Sequence, residues 1–146
     1  MACGLREPVG DNGHVSNELF RPPALAAGAQ YAHAAAAHAG RTVYTAGACP
    51  LDDSGATVAV GDLIGQCRQV MTNLVTVLEA AGADLTDVVK TTIYVASDRR
   101  EDLVTAWQII RAAFGGHDAP STLLGVTMLG YPDQLVEIEA IAVLPA

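Results

Sequence analysis

The stretch Leu135-Val136-Glu137-Ile138-Glu139-Ala140-Ile141-Ala142-Val143-Leu144 decides the fold, because with a period of two it reads as a strand with two different faces. Its even positions, Val136, Ile138, Ala140, Ala142 and Leu144, are all apolar and suit a face covered by helices. Its odd positions mix Leu135, Ile141 and Val143 with Glu137 and Glu139. Side chains two apart on a strand project to one side, about 6–7 Å from each other. A buried carboxylate must pair, accept hydrogen bonds or shift its pKa upward, so Glu137 and Glu139 are the first candidates for chemistry.

Upstream, Gly130-Tyr131-Pro132-Asp133 is a turn signal that separates this strand from another at 122–129. Leu63, Cys67, Val70, Met71, Leu74, Leu78 and Ala81 recur at steps of three and four after a Gly61-Asp62 capping signal, and Gly82 offers a stop. Arg68, Gln69, Thr72, Asn73 and Thr76 fill the other side of this amphipathic helix. Residues 87–96 are rich in β-branched side chains and read as a strand. A second helix carries Leu103, Ala106, Trp107, Ile110, Ala113 and Phe114, and Gly115-Gly116 ends it. At the front, Pro22-Pro23 and Gly28 punctuate the entry, and Ala39-Gly40 suggests a hairpin between strands at 31–38 and 41–46. The four-alanine run 34–37 favours helix, but it is short and uncapped, so a strand is expected there. The order is ββαβαββ, an α+β arrangement in which two helices cover one sheet face. The mixed, partly acidic face then needs a neighbouring subunit.

A length of 146 residues fits a single domain over 21–146, preceded by a loosely ordered tail over 1–20. Hydrophobic residues make up 51% and charged ones 16%, an apolar balance that points to self-association, yet apolar runs break well before the roughly 20 residues of a membrane span. The net charge of -8 repels phosphate backbones, and the scattered Lys and Arg form no basic patch, which disfavours nucleic acid. Three cysteines, Cys3, Cys49 and Cys67, form no C-x-x-C pair, and no apolar signal segment opens the chain, so the expected compartment is the cytoplasm. His33 and His38 would face opposite sides of a strand and no H-E-x-x-H occurs, so no metal site is expected, and no P-loop or Rossmann spacing marks a phosphate-binding loop.

Thr45-Ala46-Gly47 with Pro50-Leu51-Asp52, Gln66 with Asn73-Leu74, the run Leu78-Glu79-Ala80-Ala81-Gly82-Ala83, Asp87-Val88-Val89-Lys90 and the closing Val136-Glu137-Ile138-Glu139-Ala140 resemble the RidA/YjgF family of reactive-intermediate deaminases. The resemblance runs from about Tyr31 to Val143. It implies a chorismate-mutase-like α+β fold with a mixed sheet, a homotrimer, small-molecule clefts between subunits, and hydrolysis of enamine or imine intermediates to a keto acid and ammonia without metal or organic cofactor. It aligns Glu137 with the acidic residue that positions water, and it places Gly47, flanked by Thr45 and Ala46, where backbone amides face the ligand. Tyr31 falls near the tyrosine of the family's first strand. Three positions depart from the pattern. Ser121 stands where an arginine grips the substrate carboxylate, Trp107 stands at or beside an asparagine, and Leu123 replaces a cysteine. Serine offers one neutral hydroxyl where arginine offers a charged, bidentate fork, so a substrate other than 2-aminoacrylate is expected.

Tyr31, Ala46, Gly47, Cys49, Trp107, Ser121 and Leu123 are thus the candidate ligand contacts, and Glu137 is the candidate acid or base. Set against ligand contact, the favoured reading of Cys49 is a small buried hydrophobe and that of Trp107 a packing residue on its helix's apolar side, while Tyr31 reads as either packing or contact. Glu139 reads as structural, since two carboxylates in one site oppose each other's ionisation. The leading function is a RidA-like hydrolase acting on a small enamine, imine or related C–N bond. The alternative is a non-catalytic trimer that binds a small metabolite or a protein through the same clefts.

Overall fold

The computed structural model describes residues 17–25 and 30–146. In chain order its elements are β1 (Glu18–Phe20), β2 (Ala34–Ala36), β3 (Gly40–Tyr44), α1 (Leu63–Ala80), a 3-10 turn (Leu85–Asp87), β4 (Val88–Ala96), α2 (Arg100–Ala113), β5 (Ser121–Val126) and β6 (Val136–Pro145). The main sheet has the order β3-β6-β4-β5, with β6 antiparallel to both neighbours and β4 parallel to β5, so it is mixed. The α+β class read from the sequence is the class of the structure.

Local chemistry sets the helix ends where the sequence signals them. Asp62 has an extended backbone (φ -112°, ψ 95°), and its carboxylate accepts the Gly65 amide at 3.0 Å. Gly82 follows the helix at φ +78°, which lets the Ala83 amide reach back to the Leu78 carbonyl at 2.8 Å. Between these ends α1 buries Cys67, Val70, Met71, Leu74 and Leu78, and α2 buries Ala106 and Ile110. Both stripes close over one sheet face, where Val88, Ile93 and Val95 of β4 meet Val136, Ile138, Ala140 and Ala142 of β6. The alternation predicted for the last strand therefore holds: its even positions enter the core. Glu137 and Glu139 point to the other face, opposite Tyr94 and Thr92.

The front of the chain departs from expectation. No hairpin joins β2 to β3; β2 pairs with β1 (Glu18↔Ala36, Leu19↔Ala35, Phe20↔Ala34), and β3 pairs with β6 from Gly40↔Pro145 to Tyr44↔Ile141. A turn signal acts over four residues, whereas β6 offers β3 a long antiparallel edge and a place for Val43 against the core. Gly40 marks the crossing, because a Cβ there would lie 1.9 Å from the Leu144 carbonyl oxygen. Residues 1–16 of the expected tail, with Cys3, and Gly28 lie outside the described residues. Residues 17–20 of that tail belong to the folded structure: the Asn17 amide donates to the Asp87 and Val143 carbonyls at 3.3 and 3.2 Å, and Glu18–Phe20 form β1. Among the described residues no helix is long and apolar enough to cross a membrane.

Candidate functional site

The register of β6 separates the two glutamates, which follow each other by two residues, into different surroundings. Glu139 Oε1 accepts the Tyr94 hydroxyl at 3.2 Å beside a cavity of about 150 Å³ lined by Tyr44, Thr45, Lys90 and Thr92. Burial and the Glu139 charge raise the Tyr94 hydroxyl pKa, and burial lowers that of Lys90, whose ammonium donates to Thr122 at 2.5 Å. Tyr94 therefore keeps its proton, and Glu139 has a donor across the strand pair.

Glu137 stands in a tighter cluster. Its Oε2 accepts the Gln134 side-chain amide at 3.0 Å and faces the Cys49 sulfur at 3.6 Å. Beneath it lies Gly47: a Cβ at that position would come within 1.7 Å of Glu137 Oε1 and 2.4 Å of its carboxyl carbon, so only glycine leaves the carboxylate in place. The segment that carries Gly47 is fixed to β6 by a pair of backbone bonds, Ala48 N–H to Ile138 O at 2.7 Å and Ile138 N–H to Ala48 O at 3.2 Å. Burial, followed by the Glu137 charge and hydrogen bond, pushes the Cys49 thiol up to about 11. It is a protonated donor near neutrality, not a nucleophile. Cys67, buried in the core, is pushed up to about 12 by burial and by Asp62.

Helix α1 holds the loops around this cluster. Asn73 donates to the Cys49 and Leu51 carbonyls at 2.8 and 2.9 Å, and Gln69 bridges Leu51 O and Asn73 Oδ1 at 3.3 and 3.0 Å. Gln66, fully buried, donates to Asp133 O at 2.8 Å and accepts the Leu135 amide at 2.7 Å. Gln69 and Asn73, assigned to the polar side of the helix by spacing, are thus half-buried anchors. Gln134 was not singled out by the sequence at all. An amide between a Pro132-Asp133 turn and an apolar strand looks like loop, yet it is only 4% exposed.

The remaining candidates lie elsewhere on the chain. Ala46 is exposed next to Gly47. Tyr31 is 37% exposed and meets Trp107 edge-on, with ring centroids 6.0 Å apart and planes at 84°. Trp107 also packs against the core, the packing alternative for that residue. Ser121 and Leu123 pair with Thr91 and Ile93, placing them on the helix-covered face, opposite to Glu137. The Ser121 hydroxyl bonds the buried Thr91 hydroxyl at 2.6 Å and the Ala119 carbonyl at 3.0 Å. Ser121 is therefore occupied within its own subunit, and Leu123 packs against the core. One chain brings together Ala46, Gly47, Cys49 and Glu137; it does not bring Tyr31, Trp107, Ser121 or Leu123 to them. Among the described residues, no group of three or more His, Cys, Asp or Glu side chains is arranged as a metal site.

Comparison with known proteins agrees with this architecture. The family model described as Endoribonuclease L-PSP matches residues 22–144. A 2-iminobutanoate/2-iminopropanoate deaminase of Mus musculus is 36% identical over 103 residues, 70% of this chain and 74% of the relative. The enzyme of the same name from Salmonella typhimurium is 37% identical over 106 residues, 71% of this chain and 80% of the relative. The crystal structure of a Rid-family protein of unknown function from Yersinia pestis matches with a TM-score of 0.83 at 33% identity, covering 88% of this chain and 99% of that one. The chain therefore belongs to the RidA/YjgF family, the family of the imine deaminases it resembles in sequence.

Proposed function

We propose that this protein is a RidA-like hydrolase that converts a small imine or enamine to a carbonyl compound and ammonia, with Glu137 as the acid–base group. The observation that carries this reading is the Glu137 carboxylate, held by Gln134 and Cys49 directly over Gly47 and, among the described residues, paired with no Lys or Arg. A charge placed with such definition and without a cationic partner is suited to proton transfer. Related deaminases carry 2-iminobutanoate and 2-iminopropanoate in their names, which supports the reaction class.

In this chemistry the water oxygen adds to the imine carbon while Glu137 takes a water proton and passes it to the imine nitrogen, giving the carbinolamine. In its collapse Glu137 takes the hydroxyl proton as the C=O bond forms and delivers it to the nitrogen as the C–N bond breaks, so ammonia leaves and the carboxylate is restored. Atoms and charge balance as imine plus water to carbonyl plus ammonia.

The cleft is completed by a second subunit of a homotrimer. Two features support this: Tyr31 and Trp107 lie apart from Glu137 in one chain, and the open sheet face exposes Tyr44 at 74% and Leu124 at 43%. Free Cys49 and Cys67 fit a reducing, cytoplasmic setting. Ribonuclease activity, suggested by the family model's description, is disfavoured by the net charge of -8.

Because the Ser121 hydroxyl is already bonded to Thr91 and Ala119, it offers no fork for a carboxylate. The substrate is therefore an imine or enamine other than 2-aminoacrylate and its imine tautomer, 2-iminopropanoate. The test compares hydrolysis of carboxylated imines, released by an amino-acid oxidase, with that of carboxylate-free imines, released by an amine oxidase. Faster turnover of the second set is expected. Turnover of 2-iminopropanoate as fast as by an arginine-containing relative would overturn the substrate assignment, and no turnover of either set would overturn the hydrolase. Ser121 also favours a second reading, a trimer that binds a metabolite without turning it over, which calorimetric binding with unchanged ligand would establish.

A further inference from the structure

We infer that Gln134 and Cys49 are positioning residues that load one oxygen of Glu137, Oε2, and so reserve Oε1, above Gly47, as the oxygen that exchanges protons with water and substrate. The inference rests on the reading of Glu137 as the acid–base group and adds which of its two oxygens reacts and what selects it.

A carboxylate oxygen presents two acceptor directions in the carboxylate plane. On Oε2 both are addressed, one by the Gln134 amide at 3.0 Å and the other by the Cys49 thiol at 3.6 Å. The thiol also lies 3.6 Å from the Gly47 carbonyl, and the charged acceptor is the stronger partner for its single proton. Among the described residues Oε1 accepts no hydrogen bond, and it fills the space above Gly47 that a side chain would take.

The direction of the Gln134 amide is fixed by its other contacts. Its nitrogen reaches Val136 O at 3.2 Å as well as Glu137, and its oxygen accepts the Tyr131 backbone N–H at 3.0 Å. Turning the amide over would set its oxygen against two acceptors and its N–H groups against a donor, at a site only 4% exposed. The loop itself is held by Gln66 on α1, which bonds Asp133 and Leu135 on either side of Gln134. A buried amide with every hydrogen-bonding group engaged is a rigid support. It faces Glu137 from the turn before β6, while Cys49 faces it from the segment after β3, so the two donors arrive on independently anchored backbones. The protonated thiol, pushed up to about 11, keeps donating through the whole neutral range.

The experiment uses the full chain and the two imine sets named above. Gln134→Leu and Cys49→Val are each expected to lower kcat about tenfold with KM within about twofold, since each removes a hydrogen bond to a charged group without touching substrate. Cys49→Ser, which keeps a donor, is expected to retain most of the wild-type kcat. An unchanged kcat in Gln134→Leu, or a loss confined to KM, would overturn the inference. If that variant does not fold, Gln134→Met keeps the length and removes the donor without adding a second carboxyl beside Glu137, and the same criteria apply.

A second readout needs no turnover. The rate of Cys49 alkylation by iodoacetamide is followed against pH, peptide by peptide. In Glu137→Gln the onset is expected to move down from about 11 toward the ordinary 9.0, stopping short because burial, the largest cause, persists. Identical Cys49 profiles in wild type and Glu137→Gln would remove the clamp whatever the activity. A shifted profile in a protein that hydrolyses no imine would keep the clamp and defeat only the catalytic reading.

Discussion

Two corners of the same sheet use their polar groups in opposite ways. At Glu137, donors from two separate segments converge on one charged oxygen and leave the other, seated in the space of the missing Gly47 side chain, without a donor among the described residues. At Ser121, the hydroxyl, the Thr91 hydroxyl and the Ala119 carbonyl satisfy one another under the helices. Both positions come from the same family pattern, yet only one retains acceptor capacity that can serve a substrate. A motif position does not fix a role; the role depends on which hydrogen bonds are already made when the fold closes.

The contrast can be broken first at Glu137. Glu137→Ala is expected to lower kcat by about 100-fold or more at a stability cost of no more than about 1–2 kcal/mol, because its loss removes proton transfer while the Gln134 amide keeps the Val136 carbonyl as an acceptor. Full activity in that variant would end the functional half of the comparison. Next comes Gly47→Ala, whose new Cβ would collide with Glu137 Oε1, carboxyl carbon and Cγ together. Steady-state kinetics should register a loss between about 10- and 100-fold from displacement of the carboxylate, with the protein still folded.

At the other corner the expected effect moves from rate to stability. Ser121→Ala leaves the buried Thr91 hydroxyl without its partner and should cost about 1–2 kcal/mol in denaturant unfolding, with kcat on the best imine within about twofold of wild type. A tenfold activity loss there would restore Ser121 to the cleft. The smallest effect is expected at the neighbouring carboxylate. Tyr94→Phe removes the Glu139 hydrogen bond and should change stability by no more than about 1 kcal/mol and activity hardly at all, which would sharpen the distinction between the two glutamates.

Much of this architecture was legible along the chain. The burial of Val136, Ile138, Ala140 and Ala142, the Asp62 cap and the Gly82 stop follow from periodicity and local backbone preference, which act over a few residues. The hairpin at Ala39-Gly40 failed for the complementary reason. β3 found its partner in β6, about a hundred residues away, and no turn signal can register that competition. Gln134 and Gln66 were invisible as buried groups because a glutamine beside a turn or on a helix looks alike whether water or protein satisfies it.

By itself, then, the sequence determined the elements from β2 onward, the two-faced strand and the family, all of which rest on local pattern and short motifs. The tertiary structure alone decided that Glu137 and Glu139 occupy separate surroundings, that Ser121 is spent on Thr91, and that Gln134 stands behind Glu137. Hydrogen-bond satisfaction and burial are properties of groups brought together from distant parts of the chain, so they come into being only when the chain is packed.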